Sequence, residues 1–404
     1  MFYASTSEQW SYTGANALHA VEHVPGNVAL QLFGGSATSD KIVAETPEEK
    51  RLESDVAALQ KEMGELATPI FTVRSETSDI MRVHHRGSVR SLGDEVVPGG
   101  LQAIRGLSPA FAVDKDASDA KRRKQLAEWM TAPENSLFHR VIVNRIWHYH
   151  FGRGIVDSPN DFGFNGGQPS HPELLDWLAL WFRENSYSMK ALHRLIVTSS
   201  TYQQASSIEL NGTYELAQEI DKDNRFLWRQ NPRRLAGETL RDSMLVMAGA
   251  LNPKMYGPGY KDVRLDSVPP ANYYIAIDPV GHEFNRRTIY RWHIRGQRSA
   301  LLDTFDCPDP SVTTPMRSVT TTPSQALSQW NHSFVLRMAK RLGERIEEEV
   351  GTESSKQVIH AWHLVLGRNP RSSESMSAQR LVEEHGLSLL TRALLNSNES
   401  IFID

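Results

Sequence analysis

From Leu137 to Phe151 neither proline nor glycine interrupts the chain, and apolar side chains recur around nearly the whole turn of a helix. Phe138, Val141, Ile142, Ile146 and Tyr149 mark one face; Val143, Trp147 and Phe151 add a second strip. A helix apolar over most of its circumference is a buried helix, so this segment calls for a multi-helical body that surrounds it. Against it runs one polar stripe at i, i+4, i+8: Arg140, Asn144 and His148, with Arg145 beside it. Two readings of the stripe stand. It faces solvent or pairs with carboxylates of neighbouring helices; or it lines an internal polar site, because buried charge is paired or functional. Gly152 and Gly154 stop the helix.

The rest of the chain fits a mainly α fold: a multi-helical domain with a smaller extended, partly β N-terminal portion and a long irregular insertion. Residues 1–45, with the short apolar run Val28 to Phe33, are expected as the remnant of a β-sandwich. Residues 46–67 read as an amphipathic linker helix, capped by Thr46 with Pro47 and Glu49 in place for a capping box. Its apolar residues Leu52, Val56, Leu59, Met63 and Leu66 form a short seam, expected to pack on the helical body or on a partner chain. Residues 68–117 read as an extended connector, with strands at Pro69–Arg74 and Ile80–His85. His84 and His85 are adjacent, so in a strand they point to opposite faces and do not share one ion.

The helical domain is placed at 118–404. Ser170 to Glu173 has the spacing of a capping box, Ser188 opens the next helix, and a further helix is expected from Pro232 to Leu251. Residues 252–321 are rich in Pro, Gly, Asp and Tyr, and form an irregular excursion of the kind that is functional or wraps a surface. One long helix is then expected from Thr322, carrying Leu327, Trp330, Phe334, Met338, Leu342 and Ile346 inward.

Composition narrows the function classes. Hydrophobic residues make up 40% of the 404, enough for a substantial core. A formal net charge of −4 and a single short basic run, Lys121 to Lys124, argue against a nucleic-acid binder. No apolar run is long enough to span a membrane. The one cysteine, Cys307, excludes an intramolecular disulfide framework and reads as an inert thiol in a turn.

Candidate chemistry gathers in three places. The loop from Arg153 to Glu173 carries Asp157, Asp161, Asn165 and His171, donors suited to a divalent cation but at no recognised metal spacing; Asp161 and His171 read equally as turn and helix-start residues. Arg233 with Arg234, and Arg286 with Arg287, can clamp an anion or bind the protein's own acids, Glu238 among them. His193, Arg194, Ser199, Ser200 and Tyr202 lack the elbow of a serine hydrolase. No metal and no cofactor is assigned.

An ordered set of motifs runs through the helical part: Leu126–Trp129, Val143–Trp147, Phe151–Gly154, Asp161–Gly163, Pro169–Trp177, Leu192–Ile196, Ser200–Tyr202, Asn224–Arg225, Leu227–Trp228, Arg233–Leu235, Arg286–Arg287, Thr321–Leu327, Leu366–Arg368 and Leu394–Glu399. With these the chain resembles the DUF1553 domain, also called the planctomycete PSD1 domain, which ends large multidomain proteins. The resemblance implies an extracytoplasmic protein in which a signal peptide, a c-type cytochrome domain and another helical domain precede this one. It carries over no catalytic residue. This chain lacks a Cys-x-x-Cys-His motif, and its first residues lack the basic and apolar regions of a signal peptide, so it reads as the back portion of such a protein.

Three functions follow as expectations. The first is a non-catalytic binding or assembly module engaging a polysaccharide or a partner subunit. The second is a hydrolase or lyase with an acid/base or metal site around His148, Asp157, Asp161 and His171. The third is an accessory domain that docks a c-type cytochrome. Arg145 and Arg234 are expected to be buried and paired with acids, Asp157, Asp161, Glu238 and Asp242 being the natural partners.

Overall fold

A computed structural model describes residues 18–20, 47–66, 71–75, 80–114, 116–206, 212–268, 271–295 and 297–403. The fold is mainly α, with short two-stranded sheets. The chain forms two compact units, Met1–Asn135 and Ser136–Asp404.

In the first unit, strand β1 (Leu18–Ala20) pairs antiparallel with β2 (Phe71–Val73), and β3 (Arg82–His84) with β4 (Leu92–Glu95). Helix α1 spans Pro47–Leu66. The expected cap Thr46, and the strand expected at 28–33, lie outside the described residues. Leu52, Val56 and Leu59 are exposed by half or more. Helix α2 (Asp119–Met130) buries Trp129, whose indole N–H donates to Ser108 O at 2.8 Å. Gly100 lies flat against that ring, and a Cβ there would come within 2.3 Å of it.

The second unit holds two cores. In one, α3 (Ser136–Phe151), α4 (Pro172–Glu184) and α5 (Met189–Val197) bury Val143, Trp147, Phe151, Leu178, Phe182 and Leu192. The buried side of α3 is the strip of Val143, Trp147 and Phe151 together with His139, Asn144 and Ile146. Tyr149, expected inward, is 58% exposed. Helix α4 starts at Pro172 with His171 at its N-cap and no side-chain cap, so the box expected from Ser170 does not form. Ser188 does cap α5, accepting from Ala191 N. Helix α6 (Gly212–Ile220) follows.

The second core is larger. It is built from α7 (Gly237–Met247), α8 (Ala300–Thr304), α9 (Pro323–Asn331), α10 (Ser333–Val350), α11 (Ser354–Leu366), α12 (Ser372–His385), α13 (Leu387–Leu395) and α14 (Asn398–Ile401). Leu245, Val335, Leu342, Ile346, Val358 and Ala361 are fully enclosed. Two expectations fail here. The helix expected from Pro232 begins only at Gly237, because Arg233 and Arg234 form strand β5, paired with β8 (Phe402–Ile403) at the far end of the chain. The long helix expected from Thr322 is two. Thr322 starts the first, with Gln325 Oε1 accepting from Thr322 N, but His332 leaves helical geometry (φ −66°, ψ 131°) and caps α10 with its own side chain. Leu327 faces solvent, while Gln329 is buried and donates to Leu395 O at 2.9 Å. No described helix is long and apolar enough to cross a membrane.

Arg368 and the Arg371 N–H converge on Glu374 at the start of α12. The Arg368 bonds first, then that N–H, hold the Glu374 carboxyl down from 4.5 to about 2. A depressed folded-state pKa contributes stability that is present above the unfolded value and lost as pH falls toward the folded one. We expect the first turn of α12 to fray between pH 4.5 and about 2. Amide shifts of residues 372–375 should report it, and Glu374→Gln should flatten that step.

Candidate functional site under the excursion hairpin

The excursion is not irregular throughout. Strands β6 (Val263–Val268) and β7 (Ala271–Ala276) form an antiparallel hairpin with Val263 opposite Ala276 and Val268 opposite Ala271. Two residues of α7 tie the excursion down. Arg241 donates to Phe284 O (2.8 Å), Arg286 O (3.0 Å) and Thr288 Oγ1 (3.2 Å), and lies over the Tyr260 and Phe334 rings. Asp242 accepts from Thr288 N at 2.8 Å and from its hydroxyl at 2.6 Å.

Between the hairpin base, α8 and the start of α10 lies a cavity of about 210 Å³. Its polar lining includes Arg241, Tyr260, Asp262, Asp278, Arg291 and His332. Arg291 Nε donates to Asp262 Oδ2 at 2.6 Å, a pair that is nearly buried. The other Asp262 oxygen and the Tyr260 hydroxyl are buried without a hydrogen-bond partner. Burial pushes the Tyr260 pKa up, so the phenol stays protonated. Burial works against charge on Asp278 as well, but Arg337 and Ser333 outweigh it and hold the carboxyl below its ordinary value. His332 is held neutral by burial, and its Nδ1 accepts from Phe334 N at 3.2 Å. The site thus combines a protonated phenol and a carboxylate, each with one buried atom that has no partner, with aromatic faces and balanced charges.

None of these six residues stands among the sequence candidates. The signal that was there is Pro269-Pro270 between two β-favouring runs, which marks a hairpin shortly after Tyr260 and Asp262.

The sequence candidates lie elsewhere and mostly apart. Arg145 is half-buried and donates to Asn160 Oδ1, not to an acid. Arg234 has no acid partner either. It lies over the Phe305 ring with two guanidinium nitrogens unpartnered, and burial lowers its pKa against the pull of Asp306. Glu238 is taken instead by Arg317 at 2.7 Å, and Asp242 by Thr288. Asp157 is clamped by Arg153 (2.7 and 2.5 Å) and reached by Arg225 at 3.2 Å. Asp161 closes its own turn by accepting from Gly163 N. His171 bonds Ser170 Oγ at 2.9 Å and meets Phe226 edge-on. Arg233 donates to Tyr149 O. Arg286 is buried, donating to the carbonyls of Lys254, Tyr256 and Pro258, whereas Arg287 is exposed. His148 has a buried Nδ1 with no partner; burial first, then Arg145, lower its pKa. Cys307 lies 3.6 Å from Glu238 Oε1 and its thiol is pushed up to about 11, by burial and then by that carboxylate. Such a thiol stays protonated at neutral pH. Among the described residues no three His, Cys, Asp or Glu side chains gather as a metal-holding group.

A helical domain with this motif order defines a family rather than an activity. The chain belongs to the PSD1 family, whose description is "Protein of unknown function (DUF1553)" and whose sequence model matches residues 122–382. No curated protein and no solved structure matches the chain.

Proposed function

We propose that the Ser136–Asp404 unit is a non-catalytic binding module, and that the cavity beneath the hairpin takes one unit of a neutral polyhydroxylated ligand, the end of a polysaccharide. The observation that carries this is that two residues lining the cavity, Tyr260 and Asp262, each keep one buried polar atom without a partner, the hydroxyl and Oδ1. Buried polar atoms without partners are costly, and a ligand that supplies the partners repays them. The volume, below the ~300–1,000 Å³ of drug-sized sites, suits a single ring. A hydrolase or lyase at His148, Asp157, Asp161 and His171 needs those groups to converge, and Asp157, Asp161 and His171 are each engaged by a different partner. On the family resemblance alone, the module is taken to work outside the cytoplasm.

Titration calorimetry with a panel of neutral monosaccharides tests this. Tyr260→Phe and Asp262→Asn are each expected to weaken binding about tenfold. Tyr260→Phe should leave stability unchanged or raise it by up to about 1 kcal/mol, because no hydrogen bond of the free protein is lost. Binding that ignores both substitutions, or no binding at all, removes the proposal.

A further inference from the structure

A second cleft, of about 20 Å³, shares Arg291, Ser299 and Leu302 with the cavity under the hairpin and is also lined by Pro308 and Pro310. The same two prolines wall a third cavity, of about 270 Å³, bounded by His148 and Tyr149 of α3. We propose that the three form one groove, and that its ligand is a linear neutral polysaccharide whose end unit sits under the hairpin and whose following units pass the cleft to reach His148. This rests on the binding reading given above.

Charge and geometry favour that ligand. Each arginine of the walls is already engaged: Arg241 by backbone carbonyls, Arg291 by Asp262, Arg298 by Asp303 and Asp309, Arg317 by Glu238. An anionic chain therefore meets no free guanidinium. The remaining polar residues are neutral or already balanced: Tyr260 and Asp262 line one end, and His148, whose pKa burial lowers, lines the other. These suit hydroxyls. The cleft has room for about one water. It admits a thin link between two bulky units, and a glycan is a series of rings joined by single oxygens. An extended peptide would seek an unpaired strand edge. The walls near His148 are a helix and a loop carrying Pro308, Pro310 and Pro315, which lack N–H donors.

The test uses the full 404-residue chain and linear glucose, xylose and mannose oligomers from monosaccharide to hexasaccharide. Affinity is expected to climb at least about tenfold with length. His148→Ala should lower hexasaccharide affinity about tenfold and leave the monosaccharide unchanged, whereas Tyr260→Phe should weaken both. His148→Gln, which keeps a hydrogen-bonding group, should retain part of the gain and guards against misfolding of the alanine variant. Affinity independent of length, or a hexasaccharide indifferent to His148→Ala and His148→Gln, overturns the groove while leaving the single-unit cavity standing. Displacement of the hexasaccharide by a proline-rich peptide or by oligogalacturonate overturns the choice of ligand. No saccharide binding at all overturns the groove and the binding reading together.

Discussion

Arg286→Ala is expected to cost about 3–5 kcal/mol in urea unfolding, the largest loss of any single side chain considered. Arg286 is 5% exposed, and its guanidinium donates to Lys254 O (3.2 Å), Tyr256 O (2.6 Å) and Pro258 O (2.8 Å) while stacking on Tyr290 at 4.0 Å. Truncation strands three carbonyls in the loop that leads into Tyr260. Arg286→Lys should recover little, because a point ammonium cannot serve three acceptors set for a planar fork. Hydrogen exchange is the second measurement: Tyr260 N, which donates to Tyr290 O at 2.9 Å, should lose protection. A variant as stable as the parent would mean that this loop is held by something other than Arg286.

Asn144→Ala is expected to cost about 2–4 kcal/mol, whereas Arg145→Ala, one residue further along the same helix, should change stability by no more than about 0.5 kcal/mol. Asn144 is fully buried; its amide donates to Val156 O at 3.0 Å and its oxygen accepts from Val156 N at 2.8 Å. The N–H and the C=O of one buried residue both lose their partner when it is removed. The fit is close, since a Cβ at Gly154 would come within 2.8 Å of that amide, so the loop after α3 has only one way to lie on the helix. Arg145 has a single bond to a side chain near the surface, so water replaces it at little cost. Equal losses for the two variants would restore the internal arginine site that the polar stripe suggested.

The two arginine pairs show where sequence stops being informative. Arg286 and Arg287 are identical neighbours, yet one threads a cage of carbonyls and the other faces solvent. A side chain's direction there depends on the turn before Thr288, which is itself set by Asp242 on a distant helix. Arg233 and Arg234 read as helical because propensity cannot see strand β8, which arrives from the C-terminal end and claims their backbone. The break at His332 was hidden for a related reason: apolar spacing continues across it, and only the ring's bond to Phe334 N reveals a new helix start. The same limit hid the cavity, whose walls come from the hairpin, α7, α8 and α10.

Local rules were enough for the mainly α class, for α1, for the Ser188 and Thr322 caps and for a buried α3, because periodicity and capping act over a few residues. They were also enough for the family, since an ordered series of motifs survives in the chain itself. Tertiary structure alone decided which face of α3 is core, which arginines are spent on backbone, and which polar atoms are left without a partner. Those outcomes depend on groups brought together from remote parts of the chain, and the cost of burying a polar atom is settled only when its neighbours are in place.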